Sequence, residues 1–76
     1  MVTVKLLAVL KEYAPDGGIL EIEHKPGMTV ADALGMTEIE KTTVKYSIMV
    51  DNKRKKTGDT LEDGDTVVVM PLLAGG

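Results

Sequence analysis

Thr66-Val67-Val68-Val69-Met70-Pro71-Leu72-Leu73-Ala74-Gly75-Gly76 is the stretch on which the reading of the whole chain turns. Thr66 to Met70 is a run of β-formers. Pro71 has no backbone N–H to give to a ladder, so the sequence predicts that the strand stops there. Residues 71–76 then form a short apolar arm closed by two glycines. Without Cβ atoms these are thin enough to enter a narrow channel. In this reading Gly76 carries the α-carboxylate, and the arm suits its presentation to another protein. The competing reading is a frayed terminus, the common state of chain ends. The residues upstream decide between them.

Working back from this end, Thr60-Leu61-Glu62-Asp63-Gly64-Asp65 is a compact turn that aims the last strand, with Gly64 in a backbone conformation other residues resist. Arg54-Lys55-Lys56 reads as a short edge strand, its lysines a guard against edge-to-edge pairing. On a net-acidic chain a solvated edge is preferred to a phosphate or acidic-partner site for Lys53-Arg54-Lys55-Lys56. Asp51-Asn52-Lys53 is a turn. Val44 to Val50 is a strand, with Tyr46, Ile48 and Val50 on one face and Ser47 and Met49 on the other.

Thr29 to Gly35 reads as a short helix. Thr29 is its N-cap, and Asp32 replaces the usual Glu or Gln of a capping box. Val30, Ala33 and Leu34 form one apolar stripe, and Gly35 is the stop signal. Thr37 to Lys41 makes a second short helical piece that carries Ile39 inward. Ile19 to Lys25 alternates as a strand after the turn Pro15-Asp16-Gly17-Gly18. His24, at its end, is read as a surface or packing residue with nothing nearby to orient it. Residues 2–10 alternate at period two, Val2, Val4, Leu6, Ala8 and Leu10 on one face, and predict the first strand. Lys11-Glu12-Tyr13-Ala14 follows as a loose helical turn. Runs of strands around a single helix give an α+β domain with the helix on one face of the sheet. The first and last strands are the most apolar, which places them side by side.

Composition narrows the function. Seventy-six residues make one domain, near the lower limit for a self-sufficient core and too small for an ordinary buried active site. The chain has no Cys and one His, which leaves no disulfide, no thiolate catalysis and no Cys or His metal cluster. A net charge of −3 argues against nucleic-acid binding. No run reaches membrane-spanning length, and Met1-Val2-Thr3-Val4 begins a strand, not a signal peptide. The expectation is a cytoplasmic protein, monomeric when free.

Leu61-Glu62-Asp63-Gly64-Asp65-Thr66-Val67 followed by Pro71-Leu72-Leu73-Ala74-Gly75-Gly76 resembles the ubiquitin-like sulfur carriers of the MoaD/ThiS family. Their pattern is a Leu-x-Asp-Gly-Asp-x-Val turn and strand, then an arm ending in Gly-Gly. The run from Leu6 to Glu12 is more similar to MoaD, and the short middle, Thr29 to Thr42, to ThiS. The resemblance covers essentially the whole chain. It implies a β-grasp fold, a mixed sheet of four to five strands with one short helix on one face, the first and last strands central and parallel. Residues 1–70 would be that domain and 71–76 a flexible tail.

The same resemblance implies the chemistry. An E1-like adenylyltransferase consumes ATP to adenylate Gly76, and a sulfur donor displaces AMP to leave a thiocarboxylate. The chain would be a protein co-substrate with no bound cofactor and no metal, not an enzyme by itself. The sulfur acceptor favoured is the dithiolene of molybdopterin or its tungsten analogue, with this chain as the small subunit of a molybdopterin synthase. Thiamin thiazole, made with a thiazole synthase, is the other. Adenylation is physically sensible, because a carboxylate is a poor electrophile and AMP a good leaving group. Leu7, Met49, Val68 and Met70 alternate away from the helix and are expected to form a docking patch. Pro71, Leu72, Leu73, Ala74 and Gly75 are expected to lie in the partner's channel. Two alternatives remain: a ubiquitin-like modifier joined to lysines through Gly76, and a plain β-grasp binding module.

Overall fold

The computed structural model describes residues 1–72. Five strands form one sheet: β1 (Val2–Leu6), β2 (Ile19–Ile22), β3 (Tyr46–Val50), β4 (Lys53–Lys55) and β5 (Thr66–Pro71), in the spatial order β2-β1-β5-β3-β4. β1 and β5 are the parallel pair, and every other pairing is antiparallel. Val2, Val4, Leu6, Ile22, Ile48, Val50, Val67 and Val69 are buried on one face. The helix α1 (Val30–Leu34) lies on that face and buries Val30, Ala33 and Leu34. With no Phe or Trp in the sequence, this core is built from β-branched and aliphatic side chains.

The capping box of α1 is complete. Asp32 N donates to Thr29 Oγ1 at 3.2 Å, and Thr29 N donates to Asp32 Oδ2 at 3.0 Å. The next two amides, Val30 N and Ala31 N, donate to the carbonyls of Asp59 and Thr57, both at 2.9 Å. The donors that a helix start leaves free thus tie it to the loop between β4 and β5. Gly35 caps the other end with φ −64°, an ordinary helical value that places no demand for glycine.

Several expected boundaries move. The first strand ends at Leu6, not at residue 10. Leu7 is still extended, but Ala8 turns the chain with φ 53°. Ala8–Tyr13 is a 3₁₀ helix, replacing the turn expected at Lys11 to Ala14. Leu10 is fully buried, as a period-two reading requires, but it arrives by the helical route. The edge strand β4 begins at Lys53, one residue early.

The last strand includes Pro71, paired with Tyr46. Leu72 N donates to Lys45 O at 2.8 Å, so the amide position of Pro71 faces the other way, toward β1. There β1 has already ended, and the carbonyl next in line, Leu7 O, accepts from Leu10 N at 3.0 Å. The missing N–H of Pro71 therefore leaves no acceptor of the ladder unpaired. The strand expected from Ile19 to Lys25 ends at Ile22, the one expected from Val44 begins at Tyr46, and β4 ends at Lys55, not Lys56. Ile39 is fully buried in a short 3₁₀ turn, and Gly64 has φ 93°.

Candidate docking face and the end of the last strand

The sheet face opposite α1 has no element packed on it among the described residues, and the strand register determines what meets there. Lys5 pairs with Ile19 on one side and Val68 on the other. Val68 pairs with Met49, and Met49 with Arg54. One row therefore crosses the whole sheet: Ile19, Lys5, Val68, Met49, Arg54. Lys5 and Arg54 are exposed, while Val68 and Met49 are half-buried. Three strand spacings separate Lys5 from Arg54, about 14 Å.

The neighbouring row continues the apolar centre toward the end of β5. Leu7 follows Leu6 in register, which brings it beside Met70, and Met70 pairs with Ser47. Met70 is 42% exposed and Leu72, two residues on, 46%. Alternation keeps Leu7, Met49, Val68 and Met70 on this one face, as the sequence predicts. An open cleft of 370 Å³ lies beside the strand end, lined by Leu72, Ser47, Arg54 and Lys56. Pro71 is half-buried. Leu73, Ala74, Gly75 and Gly76 lie outside the described residues.

The sequence reading missed the basic flanks. In the sequence, Lys5 looks like an ordinary solvated residue of a strand, and Arg54 like part of a guarded edge. Only the cross-strand register sets both around Val68 and Met49, and register is not written in either segment alone.

The turn before β5 is held by the first residues of the chain. Gly64 N donates to Met1 O at 2.9 Å and Thr3 N to Asp65 O at 3.0 Å. Glu62 N donates to Asp65 Oδ2 at 2.8 Å, so Asp65 shapes the turn and is not half of an acid–base pair. The N-terminal ammonium forms an ion pair with Asp63 and holds that carboxyl below its ordinary value. His24 Nε2 lies 2.8 Å from Leu61 O, a contact that needs the proton on Nε2. His24 is thus a packing residue, but an oriented one, and its partner comes from a distant turn. Among the described residues no group of His, Asp and Glu could hold a metal ion. No helix there is long and apolar enough to cross a membrane.

No family model and no curated protein matches the sequence. Among solved structures the chain is similar to SAMP1 from Haloferax volcanii, with a TM-score of 0.77 over 99% of this chain and 98% of that one, at 20% identity. At that identity the likeness speaks for the fold. Strand order, the parallel central pair and this match agree: the chain has the ubiquitin-like β-grasp fold.

Proposed function

We propose that the chain is a ubiquitin-like sulfur carrier that works through the Gly76 carboxyl. The observation that carries this is where β5 delivers the arm. The last described hydrogen bond of the strand, Leu72 N to Lys45 O, sits at the rim of the apolar face, beside Met70. Four residues follow in the sequence, a covalent reach of at most about 14 Å. A partner that docks on Leu7, Met49, Val68 and Met70 therefore receives Gly76 within one short span. Lys5 and Arg54 complement acidic groups on that partner and fix its register.

In this reading an E1-like adenylyltransferase supplies the catalytic groups and ATP. The Gly76 carboxylate attacks the α-phosphate and expels pyrophosphate. A sulfur nucleophile then attacks the acyl carbon and AMP leaves, so one difficult substitution becomes two easier ones. The thiocarboxylate donates sulfur in cofactor biosynthesis, with the molybdopterin or tungsten dithiolene favoured over thiamin thiazole as acceptor. A molybdopterin synthase large subunit or a thiazole synthase is the next partner. The alternative, a modifier joined to lysines, shares every step up to the acyl-adenylate.

The test is intact-mass analysis after incubation with host lysate, ATP and sulfide, with and without an alkylating agent. Because the chain has no Cys, a thiocarboxylate is its one strong sulfur nucleophile. The expected result is an ATP-dependent alkyl adduct that maps to Gly76 and disappears when Gly75 and Gly76 are deleted. No adduct, in a lysate that activates a related carrier, overturns the reading. Lysine conjugates in that case favour the modifier.

A further inference from the structure

β2 is the outermost strand on its side, and among the described residues no strand lies beyond it. The register fixes which of its backbone groups are spare. Thr3 directs its N–H to Asp65 O, on the β5 side. Thr3 and its partner Glu21 therefore exchange no hydrogen bonds across the β1/β2 ladder. The N–H and C=O of Glu21 both point outward, and such an edge is a template for another strand.

This edge is also grooved. Adjoining clefts of 330 and 340 Å³ run beside β2, and Ile22, Glu23, Lys25 and Met36 line both. Met28 and Pro26 add to the first and Leu20 to the second. Met36 is 64% exposed, an apolar side chain beside an apolar groove. Carboxylates dominate the rim. Glu21 and Glu23 are exposed, Asp32 is held in the capping box, and Lys25 is the one base lining either cleft. The opposite edge of the sheet, Lys53–Lys55, has the reverse sign.

We infer that the β2 edge accepts an extended segment of a partner protein as a sixth strand, one in which apolar residues alternate with lysine or arginine. Alternate side chains of an added strand point to opposite faces. Those on the α1 side enter the clefts over Ile22, Met28 and Met36, and the basic ones meet Glu21 and Glu23. Charge argues against a second copy as the occupant. Pairing β2 with β2 sets glutamate against glutamate, and β4 has the right sign but no apolar side chain for the clefts. The site is centred on the edge strand, with β1 between it and Val68, and it needs no chemistry at Gly76, so it stands whatever becomes of the sulfur-carrier reading.

The test uses the full chain, ¹⁵N-labelled, titrated with a capped seven-residue peptide of alternating lysine and valine. A peptide of the same composition with lysines first and valines last is the control. Expected are saturable shifts at residues 19–23, 28 and 36, and slowed solvent exchange of the Glu21 amide. The control should bind at least about tenfold more weakly, and so should the double variant Glu21→Lys/Glu23→Lys. Glu21→Pro removes the outward donor at an edge position where proline is tolerated, and it too should lose binding with the other resonances of the fold in place. Equal affinity for the two peptides, native-like binding by Glu21→Pro, shifts centred on Val68 and Met49, or no saturation by about 1 mM each overturn the inference.

Discussion

Val68 and Met49 face each other across the β5/β3 ladder, half-buried on the open face, with Lys5 beyond one and Arg54 beyond the other. A charge at either apolar position removes contact area and places a desolvated charge in an interface. Under the proposed function, Val68→Asp and Met49→Glu should each weaken binding to an E1-like adenylyltransferase by about thirtyfold, the behaviour of a central interface residue. Both side chains lie off the core, so the urea midpoint should move little. A titration with unchanged affinity would remove the patch from the reading.

Lys5 and Arg54 should act differently from their apolar neighbours. Lys5→Ala and Arg54→Ala should lower the association rate and its salt dependence more than they raise the dissociation rate. Stopped-flow association at two ionic strengths separates the two effects.

Gly18 should be the least replaceable glycine described. It has φ 94°, and an added Cβ would run into the Leu6 carbonyl oxygen and the Lys11 backbone. Gly17 has φ 71° but open space around it. Urea denaturation should show a loss of about 3 kcal/mol for Gly18→Ala, from clash and strain together, and about 1 kcal/mol for Gly17→Ala, from strain alone.

Asp51 and Asn52 both adopt positive φ, 53° and 62°, between the paired residues Val50 and Lys53. This is the two-residue hairpin turn for which glycine at the second position is best suited. Asn52→Gly should stabilise the protein by about 0.5–1 kcal/mol, and Asn52→Val should destabilise it by more than that.

The ion pair between Asp63 and the N-terminal ammonium carries a pH signature. Its folded-state carboxyl lies below the ordinary 3.8, so the unfolded chain binds the proton first. The contribution is present above the unfolded value and is lost as pH falls through the folded one. Both partners are exposed to solvent, so the effect is small. Asp63→Asn should cost a small amount of stability at neutral pH and none at the acid end, so that the acid limb below about pH 4 flattens, as followed by thermal melts across pH.

Alternation was a good guide wherever one face of a strand is buried. It located β1, β3 and β5 and set Leu7, Met49, Val68 and Met70 on one side. It failed where two routes bury the same residue. Ala8 and Leu10 fit the pattern of β1, yet Leu10 reaches the core only because Ala8 takes a left-handed conformation, which nothing in its side chain announces. Pro71 misled for a related reason. Proline forbids a donor, but whether one is needed depends on which neighbour the amide faces, and that follows from where β1 ends. The Thr29–Asp32 box was legible because it is local. The row from Lys5 to Arg54 and the bond from His24 to Leu61 were not, because they join segments far apart in the chain.

The position of β5 also has a consequence for the order of assembly. β1 with β2 and β3 with β4 are two antiparallel hairpins that share no ladder until β5 slides between them. A chain that has formed both hairpins is still two half-sheets, because the strand that joins them is the last one in sequence. Pairing of Thr3 with Thr66 closes the longest loop in the molecule, a slow and late event. The strand that completes the sheet is the one that carries the arm. A partner that needs both the assembled face and the segment after β5 therefore meets them together only once β5 has joined the two half-sheets.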